Sequence, residues 1–415
     1  MKILSVIYLV YMFIALYMFF FFILVYIRNK KTLFDYPKTK KNYTLSVVTP
    51  AYNEQDSIEG TIKAVLSSSY KIEEMIVVND CSKDKTKEIV EKLMQKYKNL
   101  KLINNEKNLG KAGSLNKGIK IAVGELIAVI DSDSYPEKQA IEKMIGFFND
   151  NKVGAVTSAI LVKQKDTFMR KLQSFEYAII AWTRKLLSYV EGVYATPGPL
   201  SIYRRKLLLE IGGFDTKNLT EDIEITWRIV YYGYRAESCP SAKVYSIAPS
   251  KVSGWFKQRM RWNIGGLQCI NKYKEFFLKK GMLGFFILPF FTLSLCLGIL
   301  GLGIFTYLGV TRLLKNFLFT QYTFVAGTQL ITAEDIFITP TVLNFFGIVL
   351  LLLGLFFVFT GLGVIGERKG GVRNIFNILF YMIVYLTLYP FIMFISIIKL
   401  STAKIRRKRI GWMTK

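Results

Sequence analysis

Leu126-Ile127-Ala128-Val129-Ile130-Asp131-Ser132-Asp133 reads as a strand buried on both faces that runs straight into two carboxylates. Five apolar residues in a row leave no face for water, as expected of an interior strand in a parallel sheet. Upstream, short apolar runs at Leu45–Val48 (ending at Thr49-Pro50), Met75–Val78 and Lys101–Ile103 alternate with helix-like segments. Those segments cover Asp56–Ser68, Asp84–Lys98 and Lys111–Val123. Downstream, Val153–Ile160 reads as a further strand. The alternation predicts stacked βαβ units and a mostly parallel sheet, hence an α/β fold. Polar and acidic clusters follow the strand ends at Tyr52-Asn53-Glu54, Asn79-Asp80, Asn108 to Lys111 and Asp131-Ser132-Asp133. In open α/β sheets that edge binds ligands.

Asp131 and Asp133 repel each other unless something positive sits between them. A divalent cation bridging to a diphosphate meets that need, and so, more plainly, does a polar turn capping the next helix. Asp80 could accept a hydrogen bond from a nucleobase imide, or cap the helix that follows, a task better suited to Ser82 or Asp84. Thr220-Glu221-Asp222 precedes a helix with apolar Ile223, Ile225, Ile229 and Val230. These are ordinary first-turn residues, and equally a place for a carboxylate that removes a proton from a hydroxyl. Trp255 to Trp262 carries Gln258, Arg259 and Arg261 between two tryptophans. Arg suits phosphate and indole suits a sugar face; the same composition also suits an interfacial anchor, and both hold if Arg261 and Trp262 face inward.

The 415-residue chain contains no histidine, which removes Ser-His-Asp and Cys-His systems, His-based zinc sites and His general bases. Acid/base chemistry falls to Asp, Glu, Lys, Tyr or Cys, and a metal would be a hard cation held by carboxylates. The four cysteines show no metal-ligand spacing and require no disulfide. A net charge of +26, from 56 basic and 30 acidic residues, raises nucleic-acid binding. The basic residues are instead spread through the middle region and the flanks of apolar runs, which favours membrane lipids and an anionic small molecule over nucleic acid.

Ile3–Ile27 is an unbroken apolar run followed by Arg28, Lys30 and Lys31; its length and the lack of a small-residue cleavage site argue for a membrane helix rather than a signal peptide. Three more apolar stretches lie at Leu283–Val310, Val342–Ile365 and Ile375–Leu400. The basic flank places the middle region in the cytosol, giving a multi-pass plasma-membrane protein. Three further crossings then put the C-terminus outside, against the basic run Lys404 to Arg409 and the basic linker Glu367–Arg373. A crossing by part of Asn316–Ile331, or a re-entrant last stretch broken at Pro390, would resolve the conflict.

These segments together resemble the family 2 inverting glycosyltransferases, nearest the processive synthases of poly-N-acetylglucosamine, hyaluronan, chitin and cellulose. Residues carrying the resemblance are Pro50 to Glu54, Asn79 to Asp84, Asn108 to Asn116, Asp131-Ser132-Asp133, Thr220-Glu221-Asp222 and the Q-x-x-R-W run Gln258 to Trp262. Gly198 to Arg205 is similar to the poly-N-acetylglucosamine branch in particular. The resemblance implies a GT-A-type, Rossmann-like domain with a mixed, mostly parallel sheet, joined to an α-helical transmembrane bundle. It divides the chain into a membrane helix (1–31), a cytosolic catalytic domain (32–253), an interfacial segment (254–280), a bundle (281–402) and a basic tail (403–415). It implies that Tyr52, Glu54 and Asp80 hold uridine, that Lys111, Asp131 and Arg261 serve the nucleotide and its diphosphate, and that Asp133 binds Mg²⁺ or Mn²⁺. Asp222 would be the base with Glu221 beside it, and Gln258, Trp262, Gly198 and Ser201 would face the acceptor. Two departures stand out: a paired-Asp motif reads Asn79-Asp80, and Ser134-Tyr135 replace a His that follows the metal motif in the cellulose branch.

The function implied is polymerisation of a UDP-sugar, N-acetylglucosamine first, onto a growing polysaccharide threaded across the membrane, with room for a small membrane accessory subunit. Two other readings remain: a transferase adding one sugar to a lipid, and a non-catalytic membrane scaffold. Retention of Asp131, Asp133, Asp222 and Gln258–Trp262 speaks against the scaffold.

Overall fold

The computed structural model describes residues 3–326, 342–366 and 372–406. After helix α1 (Ile3–Asn29) the chain forms β1 (Leu45–Ala51), α2 (Ile58–Leu66), β2 (Glu74–Asn79), α3 (Thr86–Lys96), β3 (Leu100–Asn104), α4 (Gly110–Ile121) and β4 (Leu126–Val129). Next come β5 (Ser134–Pro136), α5 (Ala140–Ile145), β6 (Val153–Val162), α6 (Phe168–Ser188), β7 (Ser201–Arg204), α7 (Arg205–Glu210), α8 (Glu221–Tyr231) and β8 (Arg235–Ser246). The long α9 (Val252–Tyr273) leads into α10 (Leu288–Ala326), α11 (Val342–Ile365), α12 (Val372–Phe380) and α13 (Leu388–Ile405).

One sheet runs in the order β3-β2-β1-β4-β7-β6-β8-β5. The first four strands are parallel, β7 reverses between β4 and β6, and β6 and β8 are parallel again. The mixed, mostly parallel sheet expected from the sequence is therefore present. Alternate residues divide between two cores: Val47, Met75, Val77 and Ala128 face one layer, and Val48, Ile76, Val78 and Val129 the other. That two-sided burial is why these strands read as unbroken apolar runs. β1 continues one residue past the expected stop at Pro50. Its neighbour β4 pairs only Leu45 to Val48, so the side of Pro50 that lacks an N–H meets no ladder partner.

Strands β5, β7 and β8 and helix α6 escape the pattern reading. β8 is polar and contains Pro240; its register against β6 jumps from Ser158↔Cys239 to Ala159↔Lys243, and that bulge absorbs the proline. α6 packs on β6, β8 and α11.

Among the described residues four helices are long and apolar enough to cross a membrane: Ser5–Asn29, Leu283–Tyr322, Phe345–Ile365 and Ile375–Ile405. They carry the expected apolar stretches. Asn316–Ala326 continues α10 rather than forming a span of its own, and residues 327–331 lie outside the described residues, as do 367–371 of the basic linker and 407–415 of the tail. The last span is broken ahead of Pro390 by a π-turn over Tyr381–Tyr385, so proline falls in the first turn of α13, where a missing N–H costs little.

Candidate active site

The site is built at the strand ends, starting with α4. Asp80, just past β2, accepts from Leu109 N and Gly110 N (both 2.8 Å) and from Asn105 Nδ2 (2.8 Å). A carboxylate there satisfies orphan amides and complements the helix dipole. Gly110 starts α4 with φ 74, a conformation glycine adopts freely. Lys111 follows, and its ammonium lies 2.6 Å from Asp131 Oδ1 and 3.1 Å from Glu221 Oε1. Asp131 leaves β4 with its N–H bonded to Gly198 O at 3.0 Å. A Cβ on Gly198 would fall 2.3 Å from Lys111 Nζ and 2.5 Å from Asp131 Oδ1, so the backbone of this turn rests directly on the ion pair. Asn116 of α4 clasps Phe214, bonding its N (2.7 Å) and O (2.8 Å), and thereby ties α4 to the segment leading into α8.

Glu221 and Asp222 open α8, and Thr220 makes no side-chain cap there. Burial opposes the charge on Lys111, but Asp131 and then Glu221 outweigh it and hold the ammonium protonated. Burial likewise opposes the charge on Glu221, yet Lys111 and Arg261 keep its carboxyl below the usual range. Burial and the adjacent Glu221 push Asp222 up, to about 6. Two neighbouring carboxylates are thus driven apart, one kept ionised and one poised to take a proton, which is how acid/base roles are assigned in a site.

The helix α9 closes over this cluster. A Cβ on Gly265 would meet Thr220 Oγ1 at 2.2 Å, so α9 lies hard against the start of α8. Arg259, fully buried, pairs with Glu176 of α6 (Nε to Oε1 2.9 Å, with a second contact from Nη2 to Oε2) and donates to Tyr389 of α13 at 2.6 Å. Its guanidinium also lies 4.0 Å from the Trp262 ring centroid and bonds Gln258 Oε1. Tyr385 donates to the same Glu176.

Residues 46–212 match the family model described as Glycosyl transferase family 2. The chain carries a glycosyl transferase family 2 domain. Over 373 residues the chain is similar to a poly-beta-1,6-N-acetyl-D-glucosamine synthase of Staphylococcus epidermidis, 27% identical across 89% of this chain and 86% of the relative. A protein of the same name from Staphylococcus aureus (strain MSSA476) is 32% identical over 54% of this chain and 55% of its own. A mannosyltransferase from Pyrobaculum calidifontis, solved with GDP-Man and Mn²⁺, superposes with a TM-score of 0.57 at 19% identity, covering 96% of this chain and 99% of that one. This likeness bears on the fold, which is GT-A.

The structure gathers Lys111 and Asp131 of the matched segment with Glu221 and Asp222, which follow it in the chain, and Arg261 acts on both acids of α8. Tyr52 and Glu54 sit on the loop after β1, stitched to the loop after β2 by Asn53 N to Ser82 Oγ (3.0 Å) and to the start of α3 by Glu54 N to Thr86 Oγ1 (2.8 Å). Gln258 and Trp262 are held by Arg259. Ser201, expected beside the acceptor, is fully buried in β7, with its hydroxyl 2.8 Å from Pro197 O and 3.1 Å from Thr157 Oγ1, where it supports the turn bearing Gly198. Arg259, Glu176, Tyr385 and Tyr389 were missed, because nothing in the spacing tells which arginine of Gln258 to Trp262 points inward. Four charged or hydroxyl groups in apolar surroundings were the available signal.

The donor set suits a hard divalent cation. Asp131 Oδ1 is buried and its one close neighbour is the Lys111 ammonium at 2.6 Å. No group of three His, Cys, Asp or Glu converges among the described residues. A cation held mainly by one carboxylate, substrate phosphates and water fits such a site.

Proposed function

We propose that this chain is an inverting, processive transferase that polymerises UDP-N-acetylglucosamine into a β-linked polysaccharide and feeds the product toward its membrane helices. The observation that carries the reading is the cluster of Lys111, Asp131, Glu221 and Asp222, closed by an α9 whose buried Arg259 is fastened to α6 and α13. A polymerase must keep its acceptor end at the base between turnovers, and a fixed tie from the base to the membrane helices serves that need. The names of the staphylococcal relatives supply the sugar and favour a 1,6-linkage.

In the reaction Asp222 takes the proton of the acceptor hydroxyl while its oxygen attacks the anomeric carbon. The bond from that carbon to the diphosphate oxygen breaks on the opposite face, so an α-linked donor gives a β-linked product. Lys111 and Arg261 offset the charge gathering on UDP. Glu221 stays ionised and keeps Lys111 in place. Tyr52, Glu54 and the remaining lone pair of Asp80 line the uridine end, and Gly198, Gln258 and Trp262 receive the acceptor sugar. Asp133 would hold Mg²⁺ or Mn²⁺, which when bound supplies further positive charge to the diphosphate. Arg28, Lys30 and Lys31 favour a catalytic domain on the cytosolic side of the plasma membrane, with lipids around the four helices.

The test is the full chain in nanodiscs with Mg²⁺ or Mn²⁺ and a panel of UDP-sugars, following UDP release and product size. A ladder of products from UDP-N-acetylglucosamine supports the proposal. One short glycolipid overturns processivity, and UDP binding without release from any donor overturns catalysis.

A further inference from the structure

The mechanism leaves one face of α6 unused. Tyr177 and Arg184 are seven residues apart, two helical turns, so their side chains leave the same side of α6 about 10.5 Å apart. At one end Tyr177 has the Arg259 guanidinium 5.8 Å from its ring and lies within electrostatic range of Asp133. At the other end Arg184 lies within range of Tyr194 and Asp222. This face therefore runs beneath the cleft from the candidate metal carboxylate to the candidate base. Two residues before Arg184, on the opposite side of α6, Trp182 packs on Phe357 of α11 with centroids 4.5 Å apart.

Arg184 is only 7% exposed, and among the described residues it has neither a carboxylate in ion-pair contact nor a hydrogen-bond partner. Lys111, Arg228 and Arg259, also withdrawn from solvent, each sit against a carboxylate. Burial disfavours the charge on Arg184, and Tyr194 and Asp222 only partly offset it. A guanidinium left this way lowers stability unless a ligand brings oxygen atoms to it. The donor diphosphate already has Lys111 and Arg261, which leaves the acceptor.

We propose that Tyr177 and Arg184 form an acceptor-binding wall, Arg184 donating to hydroxyl or amide oxygens of the terminal acceptor sugar and Tyr177 flanking the cleft beside Trp262. The inference rests on the polymerase reading. It is tested with wild type, Arg184→Met and Arg184→Lys in nanodiscs, given UDP-N-acetylglucosamine and N-acetylglucosamine oligosaccharides. For Arg184→Met the acceptor KM rises about tenfold or more and the ladder shortens. UDP affinity stays unchanged and Tm is equal or higher, because an unpaired buried charge has gone. Arg184→Lys recovers part of the acceptor affinity. An unchanged acceptor KM, a loss of UDP affinity, or a fall in Tm that drags every parameter down with it would each overturn the assignment. Absence of a ladder in wild type would defeat the polymerase reading and this inference together; a wild-type ladder matched by Arg184→Met would defeat the inference alone.

Discussion

Replacing Gly198 with alanine tests whether the Lys111–Asp131 pair is held by the turn above it. The new Cβ would lie 2.3 Å from Lys111 Nζ, 2.5 Å from Asp131 Oδ1 and 2.7 Å from Asp131 Oδ2, where ordinary contact begins at 3.4 Å. The turn or the pair must therefore retreat by roughly 1 Å, a misplacement that can cost about 10²-fold in rate. Both charged groups are crowded at once, so Lys111 cannot swing clear without leaving Asp131 or Glu221. Overpacking of this kind costs about 1–3 kcal/mol of stability, too little to unfold the domain. The assay is initial-rate UDP release, with UDP affinity and Tm measured on the same preparation. Gly303→Ala, at a helical position with nothing within 4 Å, serves as the control. We expect kcat/KM to fall on the order of 10²-fold for Gly198→Ala and to hold for Gly303→Ala. A Gly198→Ala enzyme within about twofold of wild type would refute the claim that this backbone sets the pair, since ~0.4 kcal/mol is all that factor represents.

Asp222→Asn should abolish transfer while UDP still binds. Because burial and Glu221 raise the Asp222 pKa to about 6, the wild-type kcat/KM should climb as pH rises through that value and level off above it; a flat profile would remove Asp222 as the base. Arg259→Met leaves the Glu176 carboxylate buried without its cation, so thermal or denaturant unfolding should show a loss of about 3–5 kcal/mol, partly regained when Glu176→Gln is added; a loss under about 1 kcal/mol would mean the pair is solvated. In Gly265→Ala the Cβ meets Thr220 and pushes α9 off α8, and as Arg261 retreats the midpoint of the pH profile should move upward; an unmoved midpoint would disconnect Arg261 from the base. Chelation with EDTA should stop UDP release and Mg²⁺ or Mn²⁺ restore it, whereas activity persisting in EDTA would rule out the metal role given to Asp133.

The legible parts of this chain were those where one residue pattern meets one environment. β1, β2 and β4 are enclosed on both faces, so their sequences are apolar throughout and announce a parallel sheet. Their ends carry polar residues because ligands and helix starts both need them, which is why Asp80 could be placed at the edge but not assigned. The structure gives that carboxylate a definite local task, starting α4, which spacing alone left open. β8 was illegible for a different reason. Its pairing with β6 is interrupted by a bulge around Pro240, and a strand so interrupted obeys no single period. The burial of Ser201 was not legible, because a motif residue beside a site and one facing it look the same in sequence.

Arg259 shows why the connection to the membrane helices uses an ion pair when apolar contact would adhere as well. Trp182, Phe175, Met260, Tyr381 and Tyr385 already form a shared core between α6, α9 and the membrane segments. Such a core tolerates small rotations of α9, since side chains of similar volume can exchange places. A guanidinium clasped by Glu176, bonded to Tyr389 and stacked against Trp262 has far less freedom. Turning α9 by a single residue, about 100°, would remove Arg259 from its carboxylate and carry Gln258, Arg261 and Trp262 away from the acids of α8. The buried pair thus sets the helix angle on which the acceptor groups and the charge on Asp222 depend, while the apolar core supplies the adhesion.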